Sequence, residues 1–441
     1  MTVEVVLNAD RGMIVAPAGC GKTHLIASVL REKPKRPYLV LTHTTAGVTA
    51  LKKRLLRLEI PPSHYVVTTL DGSAVRVATN FPGLCPVGLP PESGTPYYNA
   101  LRQSILMLLQ SGNINRIIQA SYSRLLVDEY QDFNAFQHRL IDTLAGILPT
   151  VVFGDPMQCI FSFSGPMPDW DKKVMTCFPQ LAMLHTPWRW INAHTPALGE
   201  WLLDCRRALH EGQSIRLDSC PEHVTFNSLS GVMRTDFQAQ QQAFYRLLRQ
   251  NEGELILCLG NLSRHDVRHK FAQRLNSLDV VEPVELKDVL HMTTSLDTDI
   301  GASTASTLLR AASKMMTNIE TTATLHRVST ILAGRNRTLP PPVEVALLDL
   351  TLAPSRSRMH SAVCALKEKP GVKIYRQGAS RALKDALSLG ISAPEKSLAE
   401  CATVIREQRR HRGDQRIPPR AIGSTLLLKG LECDHAVILD G

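Results

Sequence analysis

Long hydrophobic runs are missing from this 441-residue chain. None approaches the roughly 18–20 residues that a membrane span needs, so no membrane partner is expected. Met1 to Asp10 has no basic stretch followed by an apolar one, so no secretory leader is expected either. Paired cysteines are also missing: the ten, scattered from Cys20 to Cys433, include no C-x-x-C pair. That speaks against a zinc ribbon or a disulfide framework and fits a reducing, cytoplasmic setting. His265 and His269 have metal-like spacing but no third ligand nearby, and they read as a solvated helix face. There is no internal repeat and no low-complexity tract. Acidic charge is the minority: 40 Asp and Glu face 50 Lys and Arg, a net charge of +10 that points to a polyanionic partner, most often nucleic acid.

What is present first is alternation. Met13–Pro17, Tyr38–Thr42, Tyr65–Thr69, Arg124–Asp128 and Thr150–Gly154 read as strands. Lys22–Glu32, Thr45–Leu58 and Ala135–Ile147 read as helices. This pattern predicts an α/β fold with a parallel sheet covered on both faces, its functional loops at the carboxyl ends of the strands. The pattern loosens near Leu202–Glu222 and resumes from Val224, with a strand at Glu254–Gly260 and a helix at Asp266–Ser277. From Leu286 to Gly413 the reading is mainly helical, clearest over Ala302–Gly334 and Ser397–Arg412, with a break at Pro340–Pro342. Ala421–Thr425 and Ala436–Leu439 read as strands again. The simplest organisation is a second α/β domain interrupted by a helical insertion.

Two motifs carry chemistry. Ala16-Pro17-Ala18-Gly19-Cys20-Gly21-Lys22-Thr23 follows an apolar strand and opens a helix, which is the Walker A arrangement with Ala in first place. Its glycines let backbone N–H groups curl around phosphate oxygens, Lys22 reaches the β- and γ-phosphates, and the Thr23 hydroxyl is a Mg²⁺ ligand. Leu125-Leu-Val-Asp128-Glu129-Tyr-Gln-Asp132 sits at the end of an apolar strand. Asp128 is placed to hold Mg²⁺, and Glu129 to orient and deprotonate an attacking water. ATP and Mg²⁺ are the expected cofactors.

Further segments follow in order. They are Leu39-Val-Leu-Thr42-His43-Thr44-Thr45, Thr69-Leu-Asp71-Gly72, Gly154-Asp-Pro-Met-Gln158-Cys-Ile-Phe-Ser-Phe163-Ser-Gly165, Thr186-Pro-Trp188-Arg189-Trp190 and Ser424-Thr-Leu-Leu-Leu-Lys429-Gly430-Leu-Glu432. With these the chain resembles the UvrD/Rep family of superfamily 1 DNA helicases from Ala16 to Asp440. The resemblance implies two RecA-like P-loop NTPase domains. The first spans 1–205; the second starts at 206–285, is interrupted by a mainly helical insertion at 286–413, and returns at 414–441, where it is C-terminally incomplete.

The resemblance also implies roles. Gln158 senses the γ-phosphate and couples it to the DNA groove. Arg189 spreads phosphate charge, Trp188 stacks on adenine where the family has Tyr, and Glu432 contacts the ribose. Phe163 stacks on a DNA base, with His43 and Thr69 also facing DNA. The implied activity is an ATP-dependent motor on single-stranded or partly duplex DNA, moving 3′ to 5′. The alternative is an ATP-binding module that recognises DNA or a protein partner in a repair or defence complex, with little or no unwinding.

Departures from the family pattern are specific. No glutamine in Leu7–Met13 matches the adenine-reading one. His43 replaces a stacking Phe, and Ser164 replaces an Arg. Leu426 replaces a His. Asp71 replaces a phosphate-contacting His and would repel a phosphate. The family's terminal Y-V-A-L-T-R-A-like segment, whose Arg completes the ATP site, has no counterpart before Gly441: either the sequence is a truncated form, or hydrolysis relies on Arg189 alone. Arg406, Arg409, Arg410, Arg412, Arg416 and Arg420 cluster before the last motif, either as a phosphate-tracking surface or as a solvated helix end.

Overall fold

A computed structural model of the chain describes residues 3–90, 93–160, 165–260, 264–275, 277–283, 286–299, 303–412 and 417–439. The chain forms two compact units, Met1–Phe226 and Asn227–Gly441. Among the described residues no helix is long and apolar enough to cross a membrane.

The first unit is built on a sheet of strands β1 (Arg11–Val15), β2 (Tyr38–Thr42), β3 (Tyr65–Thr69), β4 (Leu125–Val127), β5 (Thr150–Gly154) and β6 (Gln180–Met183). All pairings are parallel, in the spatial order β3-β2-β4-β5-β1-β6. Every residue of β2 and β5 is buried, as expected for strands covered on both faces. Alternate residues feed two cores. Met13, Val15, Leu39, Leu41 and Val152 enter one. Ile14, Val40, Leu126, Val151 and Phe153 enter the other. The alternation therefore specifies the layers without any long apolar run.

The structure adds elements that local pattern did not reveal. β6 is a short edge strand, and the helices Leu70–Asn80, Thr95–Gln110 and Pro196–His210 fill stretches left unassigned by sequence. β1 ends two residues earlier than the pattern suggests. Ala16 already belongs to the turn, its N–H donating to the Gly154 carbonyl at 3.0 Å.

The second unit contains β7 (Ile256–Gly260), β8 (Asp279–Val280), β9 (Arg420–Ser424) and β10 (His435–Ile438), again all parallel, in the order β10-β7-β9-β8. Between β8 and β9 the described residues form seven helices, from Lys287–Thr298 to Leu398–Arg412. They share their own core around Leu308, Leu347, Leu366 and Leu383. The helical piece expected over Ala302–Gly334 consists of two helices, Thr304–Ser313 and Thr321–Leu332. Between them Met315, Met316 and Ile319 turn into the core, and Met316 bridges to Ile374. The turn needs left-handed backbone at Asn318 and Glu320, which ends the helix despite favourable composition.

One buried ion cluster joins these helices to the sheet. Arg376 donates to both oxygens of Glu282, just beyond β8, at 2.6 and 2.8 Å, and pairs with Asp288 at 3.0 Å. The Arg376 and Glu282 side chains are 4% and 3% exposed, so the pair is desolvated and fully geometric. Burial pulls the Arg376 guanidinium down, but its bonds to Glu282 outweigh this and hold it above its ordinary value.

Candidate functional site

The phosphate loop sits at the carboxyl end of β1, between β5 and β6 in the sheet, and leads directly into the helix Lys22–Arg31. Gly19 and Gly21 both adopt left-handed backbone (φ 71° and 90°). That geometry curls successive N–H groups into one concave turn. A side chain at Gly19 would also collide with Trp190, whose ring lies 2.5 Å from the place a Cβ would take. Ala16, Pro17 and Cys20 are buried, Gly19 is half-buried and Ala18 is exposed, so the loop is anchored at its base and open at its tip. Thr23 follows Lys22 on the first helical turn and is half-buried.

Asp128 and Glu129 come to this loop from the end of β4. Lys22 Nζ lies 3.0 Å from Asp128 Oδ1 and also contacts Glu129 Oε1. Glu129 has left-handed backbone (φ 54°), which costs a non-glycine residue on the order of 1–2 kcal/mol. The turn is fixed by the Glu129 N–H donating to Asp128 Oδ1 at 2.9 Å. Burial pushes the Asp128 carboxyl up and the neighbouring Glu129 adds to this, while Lys22 opposes both. Burial likewise pulls Lys22 down, but Asp128 and Glu129 together hold it above its ordinary value. With two carboxylates on one ammonium, Lys22 stays protonated.

Gln131, Asp155 and Arg206, none of which carries a role in the motifs, extend the site. Gln131 Nε2 donates to Glu129 Oε2 at 2.6 Å, and its Oε1 accepts the Asp155 N–H at 3.1 Å. Gly154 makes room for this: a Cβ there would fall 2.7 Å from Gln131 Oε1. Asp155 is 3% exposed and accepts Gln158 Nε2 at 3.0 Å. It is also gripped by Arg206, with Nη2 donating to Oδ1 at 2.6 Å and Nε to Oδ2 at 3.4 Å. Arg206 left no local signal, because its partner is 51 positions away.

Arg189 and Trp188 belong to the same unit, on the short helix Trp188–Asn192. The Arg189 N–H donates to the Gly19 carbonyl at 3.1 Å, tying this helix to the phosphate loop. Its guanidinium carbon lies 5.9 Å from the Trp190 ring centre. Trp188 is 51% exposed beside Gly21, so its ring offers a stacking face.

The residues expected to face DNA fare differently. Thr69 caps the helix Leu70–Asn80, its hydroxyl accepting the Gly72 N–H at 2.9 Å. His43 is half-buried with its ring edge-on to Phe133, 5.5 Å between centres. Phe163 and Ser164 lie outside the described residues. The repulsion expected from Asp71 is corrected: Arg102 holds its two oxygens at 2.7 and 2.6 Å and neutralises the charge.

In the second unit, Glu432 is exposed in the stretch between the helix Thr425–Leu428 and β10. Of the arginine cluster, Arg409 turns inward, donating to the Gly378 carbonyl at 2.9 Å, and Arg406 pairs with Glu407 at 3.0 Å. Arg416 and the side chains of Arg410 and Arg412 lie outside the described residues. The His265–His269 face is not uniformly solvated, since His269 is half-buried. Among the described residues there is no group of three His, Cys, Asp or Glu side chains arranged to hold a metal.

No curated protein matches the chain at the level of its sequence. A family model, that of the UvrD/REP helicase N-terminal domain, matches residues 97–171. The matched stretch includes Asp128, Glu129, Gln131, Asp155 and Gln158. Over these residues the chain is similar to UvrD-like helicases, and that similarity supports a helicase-type function.

Proposed function

We propose that the protein is an ATP-dependent DNA helicase or translocase of the UvrD/Rep type, coupling ATP hydrolysis to movement on single-stranded DNA, 3′ to 5′. The observation that carries this reading is Lys22 clasped by Asp128 and Glu129 at the mouth of a left-handed glycine turn. The donor set suits a nucleotide with Mg²⁺: N–H groups at a helix start, one ammonium, one hydroxyl and one buried carboxylate. The bound nucleotide supplies the phosphoanhydride whose cleavage drives the cycle.

In this reading Lys22 exchanges its carboxylate partners for phosphate oxygens. That exchange frees Glu129 to orient and deprotonate a water. Thr23 and Asp128 are the metal ligands. Gln158 reads the state of the site, and Arg189, beside Gly19, spreads developing phosphate charge. Trp188 stacks on the base, and Glu432 contacts the ribose. Two RecA-like cores, the second carrying the helical insertion, alternate their grip on a strand faced by His43, Thr69 and Phe163. A protein partner in a repair or defence complex fits the same scheme.

The test is hydrolysis of ATP with and without single-stranded DNA. The expected result is stimulation by DNA, with Lys22→Ala lowering the rate by about 100-fold or more. Hydrolysis indifferent to DNA, or surviving in Lys22→Ala, overturns the motor and leaves an ATP-binding recognition module.

A further inference from the structure

The strongest unassigned arrangement is the grip of Arg206 on Asp155. We propose that Arg206 is a positioning residue for Gln158, acting through Asp155; this rests on the functional reading above. Asp155 uses both oxygens twice. Oδ1 accepts the Met157 N–H at 3.1 Å and Arg206 Nη2 at 2.6 Å. Oδ2 accepts Gln158 Nε2 at 3.0 Å and Arg206 Nε at 3.4 Å. A carboxylate this buried needs a counter-charge, and among the described residues its ion-pair partner is Arg206. The fork geometry matters as much as the charge. Two donors in one plane fix the rotation of the Asp155 carboxylate, and that rotation sets where Oδ2 meets Gln158.

The arrangement reaches further than one pair. Through its N–H, Asp155 continues to Gln131, then Glu129, then Lys22. It also borders the phosphate loop: the Cys20 thiol, raised by burial, feels the charges of Arg206, Asp155 and Arg189. Arg206 lies on the helix Pro196–His210, which follows directly on the helix carrying Arg189. One bonded chain therefore runs from the helix after Arg189 to the residue that reads the nucleotide and to the carboxylate that handles water.

A double-mutant cycle on DNA-stimulated hydrolysis separates positioning from scaffolding. Arg206→Lys keeps the charge and removes the fork. It should lower kcat about tenfold while KM for ATP stays within about twofold. In a Gln158→Ala background the same substitution should have no further effect on kcat, because the residue it positions is gone. Arg206→Gln gives a second arm, and both are measured below their thermal midpoints so that folded protein is compared with folded protein. Unchanged kcat in Arg206→Lys, or losses that simply multiply in the double variant, overturns the inference alone. Wild-type protein without DNA-stimulated hydrolysis overturns the functional reading, and the inference with it.

Discussion

Two buried ion clusters invite comparison. In the first unit Lys22 is a point charge shared by Asp128 and Glu129, and the Glu129 side chain keeps 36% of its surface in water. In the second, the Arg376 fork closes on Glu282, and both side chains are almost wholly dry. The first cluster stores backbone strain at Glu129; the second draws its anchor, Glu282, from ordinary backbone. Both neutralise charge, yet only the first sets its solvent-bordering carboxylate beside a phosphate loop; in the second the exposed partner, Asp288, can leave with the Arg376–Glu282 fork intact. A buried ion pair becomes chemical when one member borders solvent and its lost bond has a replacement; otherwise it is a rivet.

The sharpest way to test that contrast is stability. Arg376→Met should destabilise the second unit by about 3–5 kcal/mol in urea unfolding, because buried Glu282 loses the guanidinium that holds both of its oxygens. Adding Glu282→Leu should recover most of the loss, as apolar replacements of buried pairs do. Lys22→Met should cost less, about 1–3 kcal/mol, since Glu129 reaches water and Asp128 accepts a proton. An equal or larger loss at Lys22 would dissolve the distinction.

A pH series comes next. His269 is pulled from 6.5 to about 4, first by burial and then by Arg376, with Asp288 opposing and His265 and Arg268 adding to the fall. The folded state therefore binds fewer protons than the unfolded one between those values, and stability drops as pH falls through that window. Between pH 7 and pH 5 the loss should be about 2 kcal/mol, and His269→Gln should abolish it. A flat profile in the wild type would show that burial and Arg376 together do not hold His269 neutral. The smallest effect belongs to Asp71 and Arg102, which are partly exposed. Their coupling in a double-mutant cycle should stay near or below about 1 kcal/mol, well short of the Arg376–Glu282 value.

How much of this was legible follows the reach of each interaction along the chain. β2, β3 and β5 were readable to the residue: β2 and β5 because a fully buried parallel strand writes itself as a local apolar run, and β3, a half-buried edge strand, because of its β-branched Val-Val-Thr-Thr run. The glycines around Lys22 and the carboxylates after β4 were readable because loop chemistry needs particular residues at fixed spacing. Arg206 with Asp155, Arg102 with Asp71, and Arg376 with Glu282 were not, since each joins positions 31 to 94 apart. Nothing in the local sequence marks which arginine will find which carboxylate. Arg409 makes the same point in reverse: it looked like part of a basic surface, yet it bonds an inner carbonyl. The break at Asn318 was hidden because tertiary burial of Met315 and Met316, not helix propensity, ends the helix there.

The order of the first sheet has a consequence for synthesis. β1 is complete at Val15, but its neighbours β5 and β6 begin only at Thr150 and Gln180. At about 5–20 residues per second, the ribosome leaves this apolar segment without its partners for on the order of 10 s. The nascent chain thus carries its phosphate loop, tethered to an unpaired strand, through most of the making of the first unit. Chaperone occupancy should peak over that interval and fall once Met183 has emerged from the exit tunnel.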